Sequence, residues 1–125
     1  MEKFEKTGLQ IVDFVNNPEQ KRKRLTCAGG TRFIVCGTSG SGKTRAIIIA
    51  NNLLPPNDQI AESQELLREK NVLKALKTIN DFELKHEHSQ HIGFNVINSF
   101  LAKDLEAQGV KVFWLDNGSS GDHWK

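Results

Sequence analysis

The chain has little cysteine: only Cys27 and Cys36 in 125 residues. Two are too few for a disulfide framework or an all-cysteine metal site, and with no secretory signal two reduced thiols are expected. No apolar run approaches the roughly 20 residues of a membrane span, so no membrane insertion is expected. The opening "MEKFEKTGLQ" mixes charges and offers neither a long apolar core nor a small-residue cleavage site, which argues for a cytosolic setting. Neither sign of charge is in marked excess, with 17 Lys and Arg against 15 Asp and Glu. The formal net charge of +2 does not by itself argue for a nucleic-acid partner. Internal repeats and low-complexity segments are also missing.

What remains is ordinary globular material, 38% hydrophobic and 26% charged, of a length suited to one domain. Residues 7–16 place Leu9, Ile11, Val12 and Val15 at helical spacing. Asn17 then reads as an N-cap with Pro18 at the first position of a second short helix, "PEQKRKRL". "RFIVCG" at 32–37 is the apolar, β-branched run expected of a buried parallel strand. "KTRAIIIANNLL" at 43–54 is apolar nearly all round and predicts a buried helix, ended by Pro55-Pro56. From about Asp58 to Lys85, Leu66, Leu67, Leu73, Leu76, Ile79 and Phe82 predict a long helix or a broken helical pair. Residues 91–97 alternate as a strand. A helix near 99–108 follows, with Asn98 as N-cap and Gly109 just past its end, and Val110–Leu115 is a second clear strand leading to Asp116. This order predicts a small three-layer α/β domain with a short parallel sheet over residues 31–125, preceded by a helical lead-in over 1–30.

The stretch that carries chemistry is "FIVCGTSGSGKT", Phe33 to Thr44. Gly37-Thr38-Ser39-Gly40-Ser41-Gly42-Lys43-Thr44 fits G-x-x-x-x-G-K-[ST], the Walker A motif or P-loop, in its required place between strand and helix. At average residue frequencies the pattern arises by accident in roughly one chain of this length in a few hundred. Glycines at 37, 40 and 42 let successive amide N–H groups turn inward around phosphate oxygens. The helix starting near Lys43 adds its N-terminal partial positive charge. The Lys43 ammonium is expected on the β- and γ-phosphates and the Thr44 hydroxyl on Mg²⁺.

A phosphate loop alone does not activate a nucleophile, so a carboxylate at the end of another strand is needed. Asp116, after "VFWL", resembles the Walker B position that would hold the Mg²⁺ hydration shell with Thr44. Asp116-Asn117-Gly118 also reads as an ordinary turn. Residue 117 is Asn where many ATPases carry Glu, which weakens the case for efficient hydrolysis, and Asp122 and Glu106 are the substitutes to consider. No N-K-x-D guanine-reading motif occurs, so ATP is the expected nucleotide by elimination.

These residues resemble the P-loop NTPase superfamily over 32–54. A further resemblance, to superfamily 1 helicases of the UvrD/Rep type, rests on "NPEQ" at 17–20, followed 23 residues after Gln20 by Lys43 of "GSGKTR", and on "INSFLAKDL" at 97–105. It implies Gln20 on adenine, Lys43 and Thr44 on phosphates and Mg²⁺, and Asn98-Ser99 facing nucleic acid. In that reading Asp116 is not the metal carboxylate, and the chain covers only the opening of a motor.

Lys21-Arg22-Lys23-Arg24 puts four cations in a row, a contact surface for a nucleic-acid backbone, a nuclear address or a solvated helix face. His86-Glu87-His88-x-x-His91 matches neither zinc-finger nor H-E-x-x-H spacing. Trp114 and Trp124 read as packing residues. The expectation is a Mg²⁺-ATP-binding protein that hydrolyses ATP, the alternatives being a helicase segment, a nucleotide-kinase-like phosphotransferase and a non-catalytic interaction module switched by nucleotide. Nine residues follow Asp116, too few for a further helix and strand, so the apparatus around the loop is expected to be incomplete.

Overall fold

A run of six residues that are all buried, Thr31–Cys36, forms the central strand β1. The computed structural model describes residues 2–26, 28–38, 40–63, 66, 69–85 and 91–115. Among these, β1 joins β2 (Ile60–Glu62), β3 (Ile92–Val96) and β4 (Val112–Trp114) in a sheet of order β2-β3-β1-β4. All three pairings are parallel, with Val35 opposite Val96 and Cys36 opposite Trp114.

Alternation along β1 divides the core. Phe33 and Val35 face one side with Ile11, Val15, Ala46 and Ala50, contributed by α1 (Lys3–Val15) and α3 (Lys43–Leu53). Ile34 and Cys36 face the other with Ala75, Ile79, Leu101 and Leu105, from α4 (Val72–Lys85) and α5 (Ser99–Ala107). The topology explains the division. The chain crosses from β1 over β3 to β2, then returns through β3 and past β1 to β4, so crossovers of one hand place α3 on one face and α4 and α5 on the other. The expected three-layer α/β arrangement is therefore present, and Ile11 and Val15 of the lead-in belong to the same core as Phe33. Phe33 is the hub of that side, edge-on to Phe113 at 5.3 Å and stacked on Phe94 at 5.9 Å.

Local signals set most boundaries. Helix α2 (Pro18–Leu25) starts with Pro18 at its first position, and the Asn17 side chain accepts from the Gln20 N–H at 2.8 Å. Asn98 caps α5 likewise, accepting from the Leu101 N–H at 2.9 Å. That helix ends with Gly109 at φ +93°, the Gly109 N–H on the Glu106 carbonyl and the Val110 N–H on the Leu105 carbonyl, both at 3.0 Å. This is the Schellman pattern, which places glycine where a side chain would be strained.

The region from 58 to 85 departs from the predicted long helix. Its start is a 3₁₀ turn, Pro56–Asp58, followed by strand β2, and α4 begins only at Val72. Asn51 is the cause: its Oδ1 accepts from the Ile60 N–H at 2.8 Å while its Nδ2 donates to the Ile60 carbonyl at 3.3 Å. That amide holds Ile60 extended against β3. Helix α3 is also less enclosed than predicted, with Ile48 53% and Leu53 56% exposed. Among the described residues no helix is long and apolar enough to cross a membrane.

Helices α1 and α3 approach closely at Gly8, where an added Cβ would lie 2.8 Å from Ile49 Cγ2 and 3.0 Å from the Ala46 carbonyl oxygen. Gly8→Ala is therefore expected to lower the unfolding free energy by about 1–2 kcal/mol through overpacking, although Ala favours an isolated helix over Gly by about 1 kcal/mol. Urea denaturation checks the sign; a gain in stability would mean that α3 can back away at no cost.

Candidate functional site

The glycine loop leaves the carboxyl end of β1 and enters α3 at Lys43. In an open parallel sheet the binding crevice lies outside the carboxyl ends of adjacent strands whose outgoing connections take opposite faces. Here those strands are β1, followed by α3, and β3, followed by α5. The loop opens at this crevice. On its other flank the Leu115 N–H donates to the Cys36 carbonyl at 2.8 Å, carrying the β1–β4 ladder to the edge of the loop.

The loop is tightly folded on itself. At Gly37 an added Cβ would sit 2.5 Å from Ser41 Oγ and 3.2 Å from Leu115 Cβ. The Ser41 N–H closes a turn on the Thr38 carbonyl at 3.1 Å, while Gly40 and Gly42 take φ values of +83° and +101°. Residues other than glycine rarely adopt these angles. Lys43 folds back over the loop, and its Nζ donates to the carbonyls of Gly37 at 2.6 Å and Thr38 at 2.8 Å. Ser41 Oγ is buried and has no hydrogen-bond partner among the described residues.

Helix α3 begins in an unusual electrostatic setting. Gly42 occupies its N-cap and supplies no side chain to the first-turn N–H groups, and the first turn holds no acidic residue. Instead it carries Lys43 and Arg45, cations at the positive end of a helix dipole, where each is unfavourable by roughly 0.3–1 kcal/mol. A helix start with no capping side chain and with cations in its first turn favours negative charge nearby. A cleft of about 530 Å³ opens there, lined by Gly40, Ser41, Gly42, Lys43, Thr44 and Arg45 and by Glu2 and Phe4 from the start of α1.

Glu2 and Phe4 are the site residues that sequence reasoning missed. They belong to the start of α1, where the Glu5 carboxylate reaches back to the Glu2 N–H at 2.9 Å, and packing of α1 on α3 carries them to the loop. Phe4 lies flush on the loop: a Cβ on Gly42 would be 2.7 Å from Phe4 Cβ. The Arg45 guanidinium lies over the Phe4 ring, 5.4 Å from its centroid. No local motif announces such a contact between residues about forty positions apart.

The remaining sequence-predicted residues separate. Gln20 is at the opposite end of β1, roughly 16 Å away by strand rise. There its Oε1 accepts from Thr31 Oγ1 at 3.1 Å, and it lines a separate cavity of about 270 Å³. The structure does not bring it to the loop. Of the four cations in the basic run, Lys21 and Arg22 are exposed, Lys23 pairs with Glu83 at 3.1 Å, and Arg24 is buried and donates to Thr31 Oγ1 at 2.7 Å. Burial pushes the Arg24 guanidinium below its ordinary pKa, with Asp58 opposing. The run is thus not one continuous surface patch. Asn98 and Ser99 stand at the carboxyl end of β3, the strand next to β1.

The Glu106 carboxylate accepts from the Trp114 indole at 3.0 Å and does not line the cleft. His91 packs against the Phe82 ring at 5.4 Å. Among the described residues no group of three His, Cys, Asp or Glu could hold a metal. Ser39, Asp116, Asn117, Asp122, Trp124, Cys27, His86, Glu87 and His88 lie outside the described residues. No family model, curated protein or solved structure matches this chain.

The two left-handed glycines differ in surroundings, since nothing lies within 4 Å of a Cβ added at Gly40. Either Gly→Ala change is expected to cost about 1–2 kcal/mol of backbone strain, and Gly42→Ala a further 1–3 kcal/mol, roughly, through the clash with Phe4. Denaturation curves of the two variants make the comparison; equal losses would show that the start of α1 yields freely.

Proposed function

We propose that this chain is a P-loop nucleotide-binding domain that takes Mg²⁺-ATP at Gly37–Thr44 and hydrolyses it. One observation carries the reading. The Lys43 ammonium and the uncapped start of α3 converge on a cleft at the carboxyl edge of the sheet, beside a loop bent through two left-handed glycines. Backbone N–H groups there would hold phosphate oxygens, and Lys43 would exchange its loop carbonyls for the β- and γ-phosphates. ATP rather than GTP remains the choice by elimination, from the missing guanine-reading motif.

The cleft also suits a hard cation. Thr44, the second residue of α3, is exposed and lines it, and Mg²⁺ in such sites takes one or two protein oxygens together with phosphate oxygens and water. When bound, the ion would neutralise phosphate charge. The protein's part is to present the Thr44 hydroxyl, hold the phosphate chain in line and keep Lys43 beside it. The helicase resemblance receives less support, because Gln20 stands at the far edge of the sheet and Lys23 and Arg24 are engaged within the fold.

Lys43→Ala removes a charge-assisted contact, a type of bond worth about 1.5–3 kcal/mol, so ATP affinity should fall at least about tenfold. Calorimetric titration with Mg²⁺-ATP measures it, with unfolding curves confirming that the variant is folded. Unchanged affinity in a folded variant would remove the central support of the proposal.

A further inference from the structure

We infer that the first turn of α1, through Glu2 and Phe4, receives the nucleoside end of the bound nucleotide and makes this site prefer a nucleoside triphosphate over a bare phosphate chain. The inference rests on the nucleotide-binding reading above.

The lining of the cleft supplies the geometry. The loop and the start of α3, where the phosphates would lie, line it together with Glu2 and Phe4 of the α1 start, and Phe4 borders the loop at Gly42. Charge is arranged along the same line. Lys43 is at the loop end, folded among the loop carbonyls, and an exposed carboxylate, Glu2, is on the α1 side. A phosphate chain is repelled by Glu2 and drawn to Lys43. A nucleoside carries no charge at its far end but has ribose hydroxyls and, on adenine, an exocyclic amine, all donors that a carboxylate accepts. The cleft therefore has the polarity of a nucleoside triphosphate, anionic at one end and donor-bearing at the other.

Phe4 adds a flat surface. It is half-buried against Gly42, and the Arg45 guanidinium covers it at 5.4 Å, so ring and cation form a stack at the cleft wall. Planar aromatic and guanidinium faces accept a base by stacking with little dependence on its identity. The wall is also fixed in advance, because the contact of Gly8 with Ala46 and Ile49 ties α1 to the helix that carries the loop. A preformed wall loses little conformational freedom on binding.

The test compares ATP with inorganic tripolyphosphate, each titrated calorimetrically in Mg²⁺, on the wild type, Phe4→Leu and Glu2→Gln. Phe4→Leu keeps an apolar side chain against the core while removing the aromatic face, and Glu2→Gln removes the charge while keeping a side-chain oxygen at the N-cap of α1; unfolding curves confirm that both variants are folded. The expected result is a wild type that prefers ATP by about tenfold, the scale of one stacked base. Both variants should lose most of that preference through weaker ATP binding, with tripolyphosphate affinity held within about twofold or, for Glu2→Gln, raised by the loss of repulsion. Equal wild-type affinity for the two ligands would overturn the nucleoside contact and leave the phosphate loop standing, as would variants that keep the full preference. Parallel loss of both ligands in the variants would also overturn it, because α1 would then be shaping the loop and not reading the nucleoside. Absence of binding by either ligand to the wild type would instead overturn the nucleotide-binding reading, and this inference with it.

Discussion

Burial of β1 on both faces and along both edges is the constraint on which the molecule depends. Phe33, Ile34 and Val35 are fully buried, and each such side chain contributes roughly 1.5–3 kcal/mol of apolar transfer. Their alternation also assigns α1 and α3 to one face and α4 and α5 to the other. Because β3 and β4 both pair with β1, the strand's end is fixed on two sides before the loop begins. A loop of glycines has little conformational preference of its own. What gives this one a definite shape is its anchorage, the ladder to Leu115 behind it and the first turn of α3 ahead.

That constraint explains which features were legible in the sequence. Phe33–Cys36 reads as a buried strand from four adjacent side chains, and the caps at Asn17 and Asn98 and the Gly109 stop need only their neighbours within a few residues. The glycine loop belongs to the same kind, since its spelling and its flanking elements are contiguous. Strand β2 does not. Ile60–Glu62 has one buried side chain and no alternation long enough to register; it is extended because the Asn51 amide, nine residues earlier, brackets Ile60.

The candidate site divides along the same line. Lys43 and Thr44 are legible because the motif contains them, whereas Glu2 and Phe4 reach the cleft through helix packing that depends on a missing side chain at Gly8. The basic run shows the converse error, of reading a local cluster as a surface. On an eight-residue helix lying at the amino end of β1, consecutive positions point in different directions. Lys23 reaches Glu83 and Arg24 turns inward to Thr31, while Lys21 and Arg22 remain outside.

The electrostatics of the loop connect fold to proposed function. A helix beginning with Lys43, Thr44 and Arg45 after an uncapped glycine is a poor start by local criteria, because cations stand at its positive end and its first N–H groups lack a capping side chain. The fold tolerates this by partial measures. Two loop carbonyls accept from the Lys43 ammonium, and the Phe4 ring takes the Arg45 guanidinium. Neither measure supplies negative charge, and among the described residues no side chain caps the N–H groups at the head of α3. A bound phosphate chain would supply that charge and those acceptors together. On this reading the locally unfavourable start of α3 is the cost of a site kept ready for an anion, and the buried strand behind it provides the stability that such a start requires.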